Sequence, residues 1–160
     1  VAAVAGHNRL HLEDHLDERT TLFCRLLRDA DKLDIWKAFI DAERSASPEE
    51  LAAVYVGLPD SEGCSSKVLD ALDKCRMVLI DDVHNRNDFR LMTLGWVFDL
   101  NFAPTMRAVL ERKIIEKLAA LLPDTPRVRG AASAVKGYLY ERLSPREAFA
   151  TRTQHARGHG

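Results

Sequence analysis

The sequence predicts an all-α fold, a single-domain helical bundle of about seven to eight helices. Apolar residues recur at steps of three and four along most of the chain, which is the period of an amphipathic helix. Helix start signals punctuate these stretches, as at Ser47-Pro48 and Thr125-Pro126, where a hydroxyl residue precedes proline. The strand-like run 77–80 has no similar run to pair with, so we interpret it as a buried helix end or an extended link.

Composition and charge argue against nucleic-acid binding, membrane association and a disulfide-stabilised fold. The 160 residues are the size of one domain with a single core. Twenty-three basic and 24 acidic side chains leave a net charge of −1, which gives no general attraction to nucleic acid or to an anionic membrane. No apolar stretch approaches membrane-spanning length. The three cysteines form no Cys-x-x-Cys pair, which favours a reducing, cytoplasmic location over a disulfide framework.

The first elements follow from local signals. Residues 1–8 are typical of the end of a helix packed by small apolar side chains, and residues 10–19 of a solvated connection. A long helix then runs to about Arg44, with Thr20 or Thr21 as its cap. Ser47, Pro48 and Glu50 form a capping box for a short helix that ends near Gly57.

The remaining helices are predicted in the same way. A helix begins at Ser65 or Ser66, and a polar turn around His84 leads to a cap at Asn87 or Asp88. We interpret the acidic residues of that turn as capping groups rather than as a metal site. Three helices complete the bundle, over 89–100, over 106–121 and from Pro126 onward.

The long helix carries three aspartates within two turns, Asp29, Asp31 and Asp34. At about 100° per residue, its apolar stripe centres near Leu26 and places Asp29 and Asp34 on the apolar side, with Asp31 near the edge. Further apolar residues on the opposite face, including Ile35, predict that most of this helix is buried. A buried, unpaired carboxylate costs several kcal/mol, so these aspartates need a metal, basic side chains or helix N-termini as partners.

Two hypotheses remain open on chemistry alone. Arg25, Arg28 and Lys32, or basic residues elsewhere, could neutralise the aspartates in a structural network, or the carboxylates could form a ligand or metal site. The stretch from Arg28 to Asp34, RDADKLD, resembles the closing motif of the HD superfamily of metal-dependent phosphohydrolases. Members of that superfamily bind metal through a His, a His-Asp pair and a final Asp on a later helix. The resemblance covers roughly residues 1–39.

The resemblance implies a function and roles for individual residues. Asp31 would be the metal-binding aspartate, with Mn, Fe, Mg or Zn as the divalent metal, and metal-activated water would hydrolyse a phosphomonoester or phosphodiester. Asp31 and Lys32 would be the catalytic residues, and His7 and Asn8 would bind substrate. The residues that orient these groups would be Asp29, Asp34 and Arg28.

The resemblance also implies how the chain is organised. The sequence has no His-Asp dipeptide, so we expect a downstream piece of a longer protein that is inactive alone. Residues 1–44 would complete an HD-like metal-binding core, 45–150 would pack on it as additional helices, and 151–160 would be a flexible tail. The expected partner is a phosphorylated small molecule or nucleotide, without membrane or nucleic acid, and a homo-oligomer is compatible. The alternative is a non-catalytic HD-like or helical regulatory or interaction module.

Overall fold

The computed structural model describes residues 17–144, and its regular structure there is helical, with no strand in this range. The predicted all-α class is therefore confirmed. The seven α-helices of this range are α1 Glu18–Ser45, α2 Pro48–Val54, α3 Ser66–Asp73, α4 Arg86–Gly95, α5 Ala103–Glu111, α6 Ile114–Ala119 and α7 Pro126–Leu143. Two 3-10 turns, Ile80–Asp82 and Trp96–Asp99, lie in the connections. None of the described helices has the length and apolarity needed to cross a membrane.

Two helix starts lie where the local signals predict them. The Ser47 hydroxyl accepts a hydrogen bond from the Glu50 backbone N–H, and the Glu50 carboxylate accepts one from the Ser47 N–H at 2.7 Å. The Thr125 hydroxyl accepts from the Val128 N–H at 3.2 Å and begins α7. These caps form because each needs only a side chain and an N–H three residues away.

The predicted cap of α1 is wrong by three or four residues. Asp17, rather than Thr20 or Thr21, is the N-cap, and its Oδ1 atom accepts from the Thr20 N–H at 2.9 Å. The Thr20 hydroxyl donates to Asp17 Oδ2 at 2.6 Å. These hydrogen bonds, first the one from the Thr20 side chain and then the one from its backbone, lower the pKa of Asp17. An ionised carboxylate is a strong acceptor at the positive end of a helix, which explains why it precedes the threonines.

The helix predicted over 89–100 is displaced and divided. Asn85 caps α4 by accepting from the Asp88 N–H at 3.0 Å, and the chain tightens into a 3-10 turn after Gly95. A Cβ atom at Gly95 would lie 2.9 Å from Leu72 Cδ2. The absence of a side chain therefore lets α4 pack closely against α3.

The helix predicted over 106–121 is also two helices. Lys113 adopts a left-handed conformation, with φ 53°, between α5 and α6. No glycine or proline marks this break in the sequence. The interruption lets both short helices bury apolar residues, among them Val109, Ile115 and Leu118.

α1 is joined to the core by its Trp36 side chain. The ring is fully buried, and its Nε1–H donates to the Thr93 carbonyl of α4 at 2.9 Å. Further along α1, Glu43 forms a two-point ion pair with Arg90, with distances of 2.9 and 3.2 Å. α7 packs on the other side of the bundle, against α3, α5 and α6. These contacts determine which face of α1 points inward.

The inward face of α1 differs from the predicted one. The stripe around Leu26 is exposed, and the buried residues of α1 are Cys24, Arg28, Asp29, Lys32, Trp36, Phe39 and Ile40. Ile35, which was also expected to be buried, is 38% exposed. Apolar and charged residues occur on both sides of this helix, so the spacing of its apolar residues does not distinguish the two faces. Packing of Trp36 and Phe39 into the core decides between them.

Candidate functional site

Asp29 is 2% exposed and caps a helix that lies far away in the sequence. Its Oδ1 atom accepts from the Asn101 backbone N–H at 3.0 Å and from Asn101 Nδ2 at 2.9 Å. Its Oδ2 atom accepts from the Phe102 N–H at 3.0 Å. Phe102 is the N-cap residue of α5 and has no side-chain cap of its own. The buried carboxylate thus satisfies N–H groups at the positive end of α5.

Asp99 receives the two buried cations of α1. The same oxygen, Oδ2, accepts from Arg28 Nη2 at 2.5 Å and from Lys32 Nζ at 2.7 Å. The Arg28 and Lys32 side chains are 8% and 11% exposed. Together with Asp29, the formal charges of these four side chains sum to zero. Charges buried to this degree are retained in a folded protein only when they are paired.

The sequence predicts a metal, basic side chains or helix N-termini as partners of the aspartates in α1, and these contacts show which of them are present. Asp29 is stabilised by a helix N-terminus, and the basic residues Arg28 and Lys32 pair with Asp99 rather than with an aspartate of α1. Asp34 is exposed, so its predicted place on the buried side of the helix is wrong. Its carboxylate lies near enough to Lys37 to raise the pKa of that amine, after the larger effect of Asp41.

Asp31 lies between Asp29 and Lys32 in the sequence, but its carboxylate does not share their contacts. It is half-buried, at the edge between the inward and outward faces of α1. Among residues 17–144, no hydrogen bond or ion pair engages its carboxylate. Asp29 and Lys32, its neighbours in the motif, are both held by the segment 99–102. The orientation of Asp31 is therefore set by its neighbours while its own oxygens stay available.

The other predicted site residues are placed as follows. Lys32, which the resemblance implies is catalytic, donates to Asp99 from a buried position. His7 and Asn8 lie outside the described residues. Within residues 17–144, no three His, Cys, Asp or Glu side chains lie together in a way that could hold a metal. A metal at Asp31 would accordingly need ligands from outside this range.

The acidic turn around His84 is part of the scaffold. Asp88 is fully buried and accepts from the Ser65 N–H at 2.7 Å, from the Ser65 hydroxyl at 2.6 Å and from the His84 N–H at 3.1 Å. The Asp88 carboxylate therefore ties the start of α4 to the residue before α3. This agrees with its interpretation as a turn and capping group rather than a metal site.

Sequence reasoning missed Asp99 and Asn101. The segment 99–102 was interpreted only as the end of a helix, although it supplies every hydrogen-bond partner of Asp29 and the anion for Arg28 and Lys32. One local signal was present, since two polar residues stand directly before an apolar helix opened by Pro104. No signal connected them to α1, about 70 residues earlier.

A shallow cleft opens beside the Asp29 cap. Its volume is about 520 Å³, and its lining residues include Thr21 and Arg25 of α1, Asn101, Phe102 and Arg142.

No family model, curated protein or solved structure matches the chain significantly. The function of the Asp31 region is therefore inferred from its own residues.

Proposed function

We propose that this chain is part of a metal-dependent phosphohydrolase of the HD type, in which Asp31 supplies one carboxylate ligand. The observation that carries the proposal is the contrast within the motif: Asp29 and Lys32 are committed to structural contacts, whereas the half-buried Asp31 carboxylate is not. A half-buried carboxylate that the protein does not pair stays accessible to water and to a ligand from solution, as a metal-binding carboxylate must be. The resemblance of residues 28–34 to the HD closing motif supports a metal as that ligand.

The scaffold around Asp31 suits a metal ligand. Ligating groups must be held in place before the metal binds, because a loose ligand loses affinity and geometry. α1 is held by the Asp29 cap, by the Asp99 ion pairs and by Trp36, all within about two turns of Asp31. In this proposal Arg28 and Lys32 position the helix and do not contact substrate.

The donor chemistry suits a hard or borderline divalent cation. Carboxylate oxygens bind Mg, Mn, Fe and Zn, and one carboxylate together with His nitrogens does not discriminate among these metals. When bound, such a metal supplies a water of lowered pKa and polarises a phosphoryl oxygen. The substrate class is a phosphorylated small molecule or nucleotide. His7 and Asn8 are proposed to contact its phosphate.

The test uses the complete product of the reading frame, with metal analysis and two chromogenic substrates, p-nitrophenyl phosphate and bis(p-nitrophenyl) phosphate, in added Mn²⁺. Asp31→Asn keeps the size of the side chain and removes its charge. It should lower bound metal and hydrolysis by about two orders of magnitude or more. Asp41→Asn is the matched control, because Asp41 is an exposed carboxylate on the same helix. It should retain both properties.

Two outcomes would count against a metal ligand at Asp31. A metal-free protein that stays inert with Mn²⁺, and whose behaviour Asp31→Asn leaves unchanged, would contradict the proposal. Loss of activity in both Asp31→Asn and Asp41→Asn would indicate a general effect on α1 rather than a ligand at Asp31.

A second candidate function is a non-catalytic helical interaction module. The observation that favours it is the apolar surface that α1 leaves exposed, which includes Phe23, Leu26 and Leu27. Surfaces of this kind mark contacts with other protein segments. A metal-free protein that binds another macromolecule through α1 would favour this alternative.

A further inference from the structure

A second cleft lies between the middle of α1 and the junction of α5 with α6, and its volume is about 400 Å³. Small-molecule sites in proteins have volumes of about 300–1,000 Å³. The floor of this cleft consists of buried and half-buried aliphatic side chains, which are Leu33, Ile40 and Ile114. Its rim consists of exposed charged side chains, which are Lys37, Asp41, Arg112 and Lys117. We call these seven residues the α1–α6 cleft.

Helical spacing brings these residues together. Leu33, Lys37 and Asp41 follow one another along α1 at steps of four, so their side chains lie on one face of the helix. Ile114 and Lys117 are three residues apart on α6 and share a face in the same way. Each helix therefore contributes both an aliphatic side chain to the floor and a cation to the rim.

The charges of the rim do not balance. Lys37 donates to Asp41 Oδ2 at 2.9 Å, and this contact lowers the pKa of Asp41. Arg44 and Lys117 make smaller contributions to that shift, so Lys117 lies within electrostatic range of Asp41. Among residues 17–144, no carboxylate forms an ion pair with Arg112 or Lys117. Three cations and one carboxylate leave the rim with an excess of two positive charges.

We propose that the α1–α6 cleft binds a small organic anion, an alkyl chain that ends in a carboxylate or a phosphate group. The alkyl chain lies on the aliphatic floor, where burial of apolar surface provides the driving force. The anionic group contacts Arg112 and Lys117, because guanidinium and ammonium groups donate charge-assisted hydrogen bonds to carboxylate and phosphate oxygens. Asp41 does not block this contact, since Lys37 pairs with it.

A nucleotide fits this cleft less well. None of the seven residues is aromatic and none carries an amide side chain, so a base has no ring on which to stack. An uncharged hydrocarbon would leave the excess positive charge without a partner. The cleft beside the start of α7 provides a contrast, because its two charged lining residues, Asp124 and Arg129, pair with each other.

The α1–α6 cleft is separate from Asp31. At about 100° per residue, Leu33 and Ile40 lie about 160–180° around α1 from Asp31. The inference therefore does not rest on the proposed metal site. Asp31→Asn should leave binding at this cleft unchanged, so that failure of either proposal can be recognised without the other.

The test is a titration of the isotope-labelled intact chain, followed by the amide chemical shifts in NMR spectra. Octanoate and octyl phosphate present the alkyl chain with the two anionic groups. Acetate and inorganic phosphate lack the chain, and 1-octanol lacks the charge. We expect at least one alkyl anion to cause saturable shifts at the α1–α6 cleft, and the other three probes to bind at least about tenfold more weakly.

A pair of double variants tests the contact with the anionic group. Arg112→Gln with Lys117→Gln removes two exposed cations from the rim and should weaken binding of the alkyl anion at least about tenfold. Lys74→Gln with Arg76→Gln is the matched control, because it removes the same charge from exposed positions that follow α3. The control should retain the affinity of the wild type.

Four outcomes would overturn the proposal. The first is the absence of saturable shifts with both alkyl anions, and the second is saturable shifts centred elsewhere, such as at the exposed Phe23 and Leu26. The third is an affinity for 1-octanol or for the short anions equal to that for the alkyl anions. The fourth is an equal loss of affinity in the two double variants, which would indicate an effect of net charge rather than of this cleft.

Discussion

The Oδ2 atom of Asp29 accepts a hydrogen bond from the backbone N–H of Phe102 at 3.0 Å, across 73 residues of sequence. Phe102 is the N-cap residue of α5, and its side chain does not cap the helix. The first turn of α5 is thus completed by a carboxylate from α1. Each helix depends on the other, because the carboxylate needs donors and the helix end needs an acceptor.

Removal of the Asp29 carboxylate should therefore be costly. Asp29→Ala leaves the half-buried Asn101 and Phe102 backbones without the acceptor of their N–H groups. We expect the free energy of unfolding to fall by about 2–4 kcal/mol, measured by urea denaturation. Asp34→Ala removes an exposed carboxylate from the same helix and should change it by no more than about 0.5 kcal/mol. Equal effects of the two substitutions would show that Asp29 does not act as a remote cap.

Substitutions of Asp99 and of its partner Lys32 should have coupled effects on the free energy of unfolding. Asp99→Asn removes the carboxylate that Arg28 and Lys32 share and leaves the Lys32 amine buried without it, and we expect a loss of about 3–5 kcal/mol. Lys32→Met in that background should recover part of the loss, because one uncompensated charge disappears. A double-mutant cycle measures this coupling, and an interaction energy below about 0.5 kcal/mol would contradict it. Asp70→Asn, at the exposed ion pair with Arg127, should cost less than about 1 kcal/mol.

Two glycines in helices should respond to alanine with opposite signs. At Gly95 a Cβ atom would lie 2.9 Å from a methyl group of Leu72, which is fully buried. Gly95→Ala should destabilise the protein by about 1–3 kcal/mol through overpacking. At Gly137, an exposed position within α7, no atom lies within 4 Å of the added Cβ. Gly137→Ala should stabilise by about 0.5–1 kcal/mol. Thermal unfolding of both variants checks the signs, and stabilisation by Gly95→Ala would refute the close approach of α3 and α4.

The cap of α1 should depend on pH. Hydrogen bonds from the Thr20 side chain and backbone lower the pKa of Asp17 in the folded state. A folded pKa below the unfolded value of about 3.9 means that the stabilisation is present above that pH and is lost as the pH falls through the folded pKa. The stability difference between the wild type and Asp17→Ala should therefore be constant near neutral pH and shrink as the pH falls below about 4.

Thr20→Val provides the matched control for this pH dependence. It removes the hydroxyl that donates to Asp17 Oδ2, so the acid-sensitive part of the stabilisation should become smaller. Urea denaturation of the three proteins between neutral and acid pH measures the effect. A stability difference that grows on acidification would reverse the sign and contradict the assignment.

The sequence by itself determined where several helices begin. The cap at Ser47 and the cap before Pro126 each join a side chain to an N–H three residues away. Such contacts form within a single turn, so they can be recognised without knowledge of the fold. The sequence also identified the motif around Asp31 as the chemically unusual part of the chain. An aspartate buried on such a helix requires a partner, and Asp29 has one.

Only the tertiary structure decided which side of α1 is buried and what its charged residues contact. α1 is apolar on both sides, so its orientation depends on Trp36 reaching Thr93 and on Asp29 reaching the start of α5. The break at Lys113 has no local signal and depends on the core that α5 and α6 share. Local hydrogen bonds specify helix ends within a few residues. The choice between two apolar faces depends on burial against segments about 60–70 residues away, and no spacing within α1 contains that information.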